Sequence, residues 1–196
     1  MKTIEIEISG TTPLLMSKFG AEAEMQISQG TAKVFRKGEK SPRDEALERA
    51  YIDSDGNMYI PGMNIFRSFI DAGIYIKNGR KNFTTSKSSL IPSFMELTAD
   101  SLVCPLLVDG KHTKTFEVDT RSVVNPATNM RNIRHRPLFP KWAIKMKVAY
   151  NDTEITDKTV REIIDIAGQK IGLGDFRPSR KGIYGKFVVS GWKVLN

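Results

Sequence analysis

The order of the periodic segments narrows what this chain of 196 residues can fold into more than any other feature. Ile4, Ile6 and Ile8 alternate with Glu5 and Glu7, the period of a half-buried strand, and the run ends at Gly10. After Pro61-Gly62 the spacing becomes helical: Ile65, Phe66, Phe69, Ile70 and Ala72 share one face, with Arg67, Ser68 and Asp71 opposite. This predicts a helix over residues 64–74. The apolar run 102–107 predicts a strand. Trp142, Ile144, Met146 and Val148 alternate with Lys145 and Lys147, which predicts another. Val160, Ile163, Ile164 and Ala167 mark the inward face of a helix over 157–168, and residues 187–194 close the pattern as a last strand. The order βαββαβ is the ferredoxin-like (RRM-like) arrangement, an α+β fold with one antiparallel sheet and both helices on one of its faces.

What remains reads as insertions into a single domain, 1–196. Residues 17–40 are polar, lack a sustained period, and end with Lys33, Arg36, Lys37 and Lys40. Ser41-Pro42-Arg43-Asp44-Glu45 has the chemistry of a helix start: an N-cap hydroxyl, proline at the first helical position, and acids in the first turn. This helix should end near Ala50, so the first insertion lies near 17–50. Asp53 to Asn57 form a turn between short strands. They are not an EF-hand, because Met63 and Asn64 stand where further ligands would be needed. Residues 119–140 show no clear period and form the second insertion, a basic loop or hairpin. No linker marks a second domain.

Several functions are set aside by composition. Cys104 is the only cysteine, so no internal disulfide can form, and a thiol within an apolar run reads as an inert core residue in a reducing cytosol. No segment has the continuous apolar length of a signal peptide or a membrane span, so the expected location is cytoplasmic, with no membrane partner. No His, Cys or Asp cluster has metal-ligand spacing, and no cofactor is expected. Gly172-Leu173-Gly174 follows a helix and lacks the third glycine of a dinucleotide fingerprint, and no Gly-Lys-Ser/Thr supplies a P-loop.

The formal net charge of +8 suits a polyanionic partner, and its distribution points to two regions. Between Arg121 and Lys147 there is no acidic residue, while Arg121, Arg131, Arg134, Arg136, Lys141, Lys145 and Lys147 accumulate among Asn125, Asn129, Asn132 and His135. Arginine forks hold phosphates, and amides can read base edges. The second region is the glycine-rich stretch 172–185. There Gly172, Gly174, Gly182 and Gly185 surround Arg177, Arg180 and Lys181, and a loop of this kind could cradle phosphates with its N–H groups. Candidate nucleic-acid contacts are therefore Arg67, Arg121, Asn129, Arg131, Asn132, Arg134, His135, Arg136, Lys141, Arg177, Arg180 and Lys181.

A glycine-rich basic loop directly before the last strand of such a chain resembles the RAMP (repeat-associated mysterious protein) superfamily of CRISPR RNA-binding subunits. Tyr59-Ile60-Pro61-Gly62, opening the first helix, is similar to an Ile-Pro-Gly-Ser-Ser-Leu-Lys-Gly element of effector backbone subunits. Met63 and Asn64 replace its serines, and Phe66 occupies the usual basic position, with Arg67 adjacent. The wording of residues 172–178 also resembles small phage or prophage proteins. The resemblance implies a single-stranded nucleic acid as the ligand, RNA or DNA, with RNA the favoured of the two. It also implies copies of the chain arrayed along the strand, other effector-complex subunits as partners, and a β-hairpin thumb for which 119–140 is the candidate. Two alternatives stay open, a metal-independent endoribonuclease of the RAMP type and a phage structural or assembly protein. The enzyme reading would need a histidine near the start of the chain, whereas His112 and His135 both lie mid-chain. No catalytic residue is assigned.

Overall fold

A computed structural model describes residues 1–18, 40–124 and 131–195. In chain order its elements are β1 (Lys2–Gly10), β2 (Leu14–Leu15), α1 (Pro42–Glu48), β3 (Tyr59–Pro61), α2 (Gly62–Ala72), β4 (Lys77–Asn78), β5 (Lys81–Asn82), α3 (Ile91–Phe94), β6 (Met95–Leu97), β7 (Val103–Pro105), β8 (Leu107–Val108), β9 (Lys111–His112), β10 (Glu117–Val124), β11 (Arg131–Phe139), β12 (Ala143–Tyr150), α4 (Asp157–Ile166) and β13 (Phe187–Val194). The chain is α+β, with antiparallel sheets and few helices.

β1 lies between β12 and β13, antiparallel to both, in a sheet ordered β13-β1-β12-β8-β9 with β6 also paired to β12. Because successive side chains leave a strand on opposite faces, Ile4, Ile6 and Ile8 all enter the core and are fully buried. Each contributes roughly 1.5–3 kcal/mol by leaving water. They share one apolar cluster with Ile65 and Phe69 of α2 and with Val160, Ile163 and Ile164 of α4, and the two helices touch each other. Lys2 of β1 and Tyr150 of β12 both bond Asp157 in the first turn of α4, and these two bonds hold its carboxyl below the usual carboxylate range.

The helices fall where the periodicity puts them. Ser41 caps α1, its hydroxyl accepting from the Asp44 N–H at 3.2 Å. α2 has no side-chain cap. Its first residue, Gly62, instead donates its N–H to the Leu102 carbonyl at 2.8 Å, where a β-carbon would lie 2.1 Å from the Ser101 carbonyl oxygen. Ordered chain therefore lies against the Tyr59-Ile60-Pro61-Gly62 element at the point where α2 begins.

One expectation needs correction. The run 102–107 is not one strand. It divides into β7, paired with β3 in a separate two-stranded sheet, and β8, which meets β12 only at Ala143. Pro105 stands at the break, and a residue without an N–H cannot extend a ladder. Within 119–140, expected as a basic loop or hairpin, the described residues form the two strands of a long hairpin: β10 and β11 pair from Glu117↔Leu138 to Val124↔Arg131. Toward its tip most side chains on both strands are exposed, so no alternation of polar and apolar residues is required there. At its base β11 also pairs with β2, through Leu138↔Leu15 and Phe139↔Leu14.

Among the described residues no helix is long and apolar enough to cross a membrane. Cys104 is wholly buried on β7, its thiol donating to the Ser101 carbonyl, and burial pushes its pKa up to about 12. A thiol reagent at pH 8 should therefore leave the folded protein unlabelled and label one thiol after denaturation. Rapid labelling of the native protein would contradict the packing of β7.

Candidate nucleic-acid interface

After α4 the helix ends in a π-helical turn, Ala167–Ile171, and Gly172 reverses the chain at φ +73°. The glycine-rich stretch is then fastened to itself and to the start of the chain. The Leu173 N–H donates to the Gly185 carbonyl (2.9 Å), Asp175 to Leu15 (2.7 Å), Gly182 to Arg177 (2.9 Å), Tyr184 to Phe176 (3.1 Å) and Gly185 to Pro13 (2.8 Å). This corrects the picture of a loop that cradles phosphates with its backbone, because most of these N–H groups already have acceptors. The loop presents side chains instead. Phe176, held at φ +49°, is 44% exposed, and Arg180, Lys181 and Ile183 stand exposed near it. Arg177 is half-buried and donates to the Gly174 carbonyl (2.8 Å) and the Ser179 hydroxyl (3.0 Å); burial, then the charge of Arg180, pulls its guanidinium below the ordinary value.

The base of the hairpin is tied to this loop by charge. Arg136, with only 6% of its side chain exposed, donates to Asp175 at 2.7 Å and to Asp119 at 3.1 Å. Arg121 donates to Asp119 at 2.7 Å and to the Tyr184 hydroxyl, and its guanidinium lies 4.9 Å from the centre of the Tyr184 ring. The expectation that Arg136 is a free phosphate contact is thus overturned: it is a buried tie between β11 and the loop. Arg121 is committed to the same network, although part of it remains exposed.

Next to this tie a cleft of about 310 Å³ opens, lined from several separate stretches of chain, Tyr51 and Ile60 among them. Met16 and Ser17 follow β2; Asn64, Arg67 and Asp71 come from α2; Arg134 comes from β11; and Gly172, Gly174, Asp175 and Arg177 come from the loop. The acids here are already engaged, Asp71 with Arg67 at 3.0 Å and Asp175 with Arg136. Arg134 is exposed and forms no ion pair among the described residues. Near it the buried Nε of Arg49 has no hydrogen-bond partner, and burial, then the charge of Arg134, lowers the Arg49 pKa. Positive charge is thus concentrated beside the cleft with little acid left to neutralise it.

Of the residues expected to contact nucleic acid, Arg67, Arg134 and Arg177 meet in this cleft with Gly172 and Gly174. Arg131 and Asn132 stand exposed farther out on β11, Lys141 is exposed between β11 and β12, and Arg180 and Lys181 are exposed on the loop. Gly182 and Gly185 are packing positions, where a β-carbon would lie 1.7 Å from the Phe176 carbonyl oxygen and 1.8 Å from that of Leu173. His135 is half-buried, its Nδ1 2.8 Å from the Thr120 hydroxyl and its Nε2 3.8 Å from Glu45. Asn129 lies outside the described residues. Sequence reasoning missed Asn64, Arg49 and Phe176. Asn64 stands three residues before Arg67 on one helix, a spacing that shares a face and could have flagged it; nothing in the sequence marks Arg49.

No family model matches the chain, and no curated protein does either. Solved structures do. A chain in the cryo-EM structure of the type III-B Cmr-beta bound to cognate target RNA aligns with TM-score 0.52 at 14% identity, covering 98% of this chain and 60% of that one. The present chain therefore spans less than two thirds of that chain's length. The crystal structure of Cmr6 from Pyrococcus furiosus aligns with TM-score 0.44 at 13% identity, covering 95% of this chain and 97% of that one. What this chain shares with that chain of the type III-B Cmr-beta structure is its fold, in the direction that the RAMP resemblance pointed.

Proposed function

We propose that the cleft between α2, the base of the β10–β11 hairpin and the glycine-rich loop binds single-stranded nucleic acid, RNA in preference to DNA. The observation that carries this reading is the convergence of Arg67, Arg134 and Arg177, from three distant parts of the chain, on one cleft lined by two carboxylates, of which Asp71 is paired to Arg67 and Asp175 to Arg136, leaving Arg134 and Arg177 without an ion pair among the described residues. Phosphate contacts by arginine supply affinity without regard to sequence, and the exposed ring of Phe176 beside Arg177 offers a face on which an unpaired base can stack. The Cmr-beta chain that shares the fold was determined with target RNA, which favours RNA as the ligand. In this reading β1, α2, the broken segment β6–β8, β12, α4 and β13 are the ferredoxin-like core of one domain. The hairpin is then a thumb that positions successive copies of the chain, and other effector subunits, along the strand.

The double variant Arg67→Ala/Arg134→Ala tests the cleft. Both side chains are exposed, so the thermal melt should be unchanged. Fluorescence anisotropy with an oligouridylate should show about tenfold weaker binding. The dependence of log affinity on log salt should flatten by about 1.4, that is, about 0.7 for each lost contact to a single strand. A duplex of matched length should bind weakly to both proteins. Parental affinity in the double variant would place the strand elsewhere.

A further inference from the structure

A second basic surface lies at the far end of α2, on residues that the cleft does not use. After Ala72 the chain makes a 3-10 turn, Gly73–Tyr75, and then the small β4–β5 hairpin with Gly79 at its tip. Between Asp71 and Glu96 the sequence has no acid but carries Lys77, Arg80, Lys81 and Lys87, all exposed. Among the described residues none of the four forms an ion pair. A shallow groove runs over this surface, lined by Ile74, Lys77, Arg80, Lys81, Thr85 and Ser86. The surface is held in place. The Asn82 side-chain amide donates to the Ile74 carbonyl at 2.7 Å, the Thr84 hydroxyl donates to the Ile70 carbonyl at 2.6 Å, and the turn beyond closes through Thr85 and Ser88. Four unpaired cations on an ordered surface repel one another, and nothing within the described chain offsets that repulsion, so the surface suits an anion supplied from outside.

The surface is joined to the cleft. Lys170, exposed in the π-helical turn, lies 4.4 Å from the centre of the half-exposed Tyr75 ring. Its chain neighbours Ile171 and Gly172 line the cleft, and Tyr75's neighbour Ile74 lines the basic groove. The two sites follow one another along the chain, since Asp71, which lines the cleft, stands three residues before Ile74, which lines the groove. A cation and an aromatic ring occupy the ground between them, the combination that tracks a single strand without reading its sequence.

We infer that the nucleic acid does not stop at the cleft but runs on past Lys170 and Tyr75 to a second phosphate-backbone site formed by Lys77, Arg80, Lys81 and Lys87. This rests on the cleft reading above and extends it. An acidic protein surface is the rival occupant, and strand length separates the two. The test compares the parent with Lys77→Ala/Arg80→Ala/Lys81→Ala on two labelled oligouridylates, one of about four nucleotides and one of about sixteen, spanning the site sizes of single-strand binding folds. The short strand fits the cleft alone and should bind both proteins within about twofold. The long strand should bind the triple variant about tenfold more weakly, with a salt slope flatter by about two. Equal affinity of both proteins for the long strand would overturn the inference and leave the surface to a protein partner. Equal weakening on both lengths would overturn it as well, since the effect would then be one of overall charge. If the short strand binds the parent and weakens in Arg67→Ala/Arg134→Ala, the cleft reading stands whatever the triple variant does. If the parent binds neither strand, both readings fall.

Discussion

Arg136→Ala should lower stability by about 3 kcal/mol, because it removes the buried partner shared by Asp119 and Asp175, two charge-assisted hydrogen bonds in all, and leaves Asp119 only the partly exposed Arg121. For a chain of this length that corresponds to a fall in melting temperature of roughly 6–12 °C. Arg131→Ala, on the exposed part of the same strand, should melt with the parent. The contrast discriminates because the two arginines look alike in sequence and differ only in what surrounds them. A second variant separates pairing from bulk: with Asp119 already replaced by leucine, Arg136→Met should cost much less than Arg136→Ala does in the parent, since no buried charge is then orphaned. Melting of Arg136→Ala within a degree or two of the parent would mean that the tie between hairpin and loop contributes nothing.

The most damaging single methyl group should be Gly185→Ala. Gly185 has φ +69°, a region that disfavours any L side chain by about 1–2 kcal/mol, and its β-carbon would lie 1.8 Å from the Leu173 carbonyl oxygen. That oxygen belongs to backbone held by the Leu173 N–H to Gly185 carbonyl bond, so it cannot swing aside as a flexible side chain would. Adding about 1–3 kcal/mol for the forced shift gives a loss of about 2–5 kcal/mol. Single-strand binding should fall with it, because Gly172, Gly174 and Arg177 are positioned by the same closure. Gly110→Ala is the control, with φ +77° and open space around the added carbon. Chemical denaturation should show it losing only about 1–2 kcal/mol. If the two variants unfold at the same denaturant concentration, the loop is not pinned as described.

The two arginine positions also show how far the sequence could be read. β1, α2, α4, β12 and β13 were legible because each buries one face, and burial imposes a period. The hairpin could be named only as a basic loop or hairpin, without strand bounds, since a strand exposed on both faces is under no such constraint, and Arg131, Asn132, Ile133 and Arg134 follow one another without a period. The strand expected over 102–107 failed at Pro105, a local signal that was present and underweighted. The charge argument rested on the acid-free stretch from Arg121 to Lys147, and of that stretch Arg134 lines the cleft. It went wrong at Arg136, whose partners Asp119 and Asp175 lie 17 and 39 residues away. Composition counts charges along the chain, whereas pairing happens across the fold.

The sheet order has a consequence for the time course of folding. β1 is made first, yet its two neighbours, β12 and β13, come from residues 143–194. The carbonyls of Pro13 and Leu15 likewise wait for Gly185 and Asp175. During synthesis the strand with the most buried isoleucines therefore waits for residues 143–150 to meet its first mate and for residues 187–194 to meet its second. Contacts so distant along the chain make for slow closure, and they leave an apolar edge open to wrong pairings in the meantime. The cleft, assembled from residues 16 to 177, is among the last features to exist. A nascent chain of this kind cannot hold a nucleic acid strand before its sheet has closed.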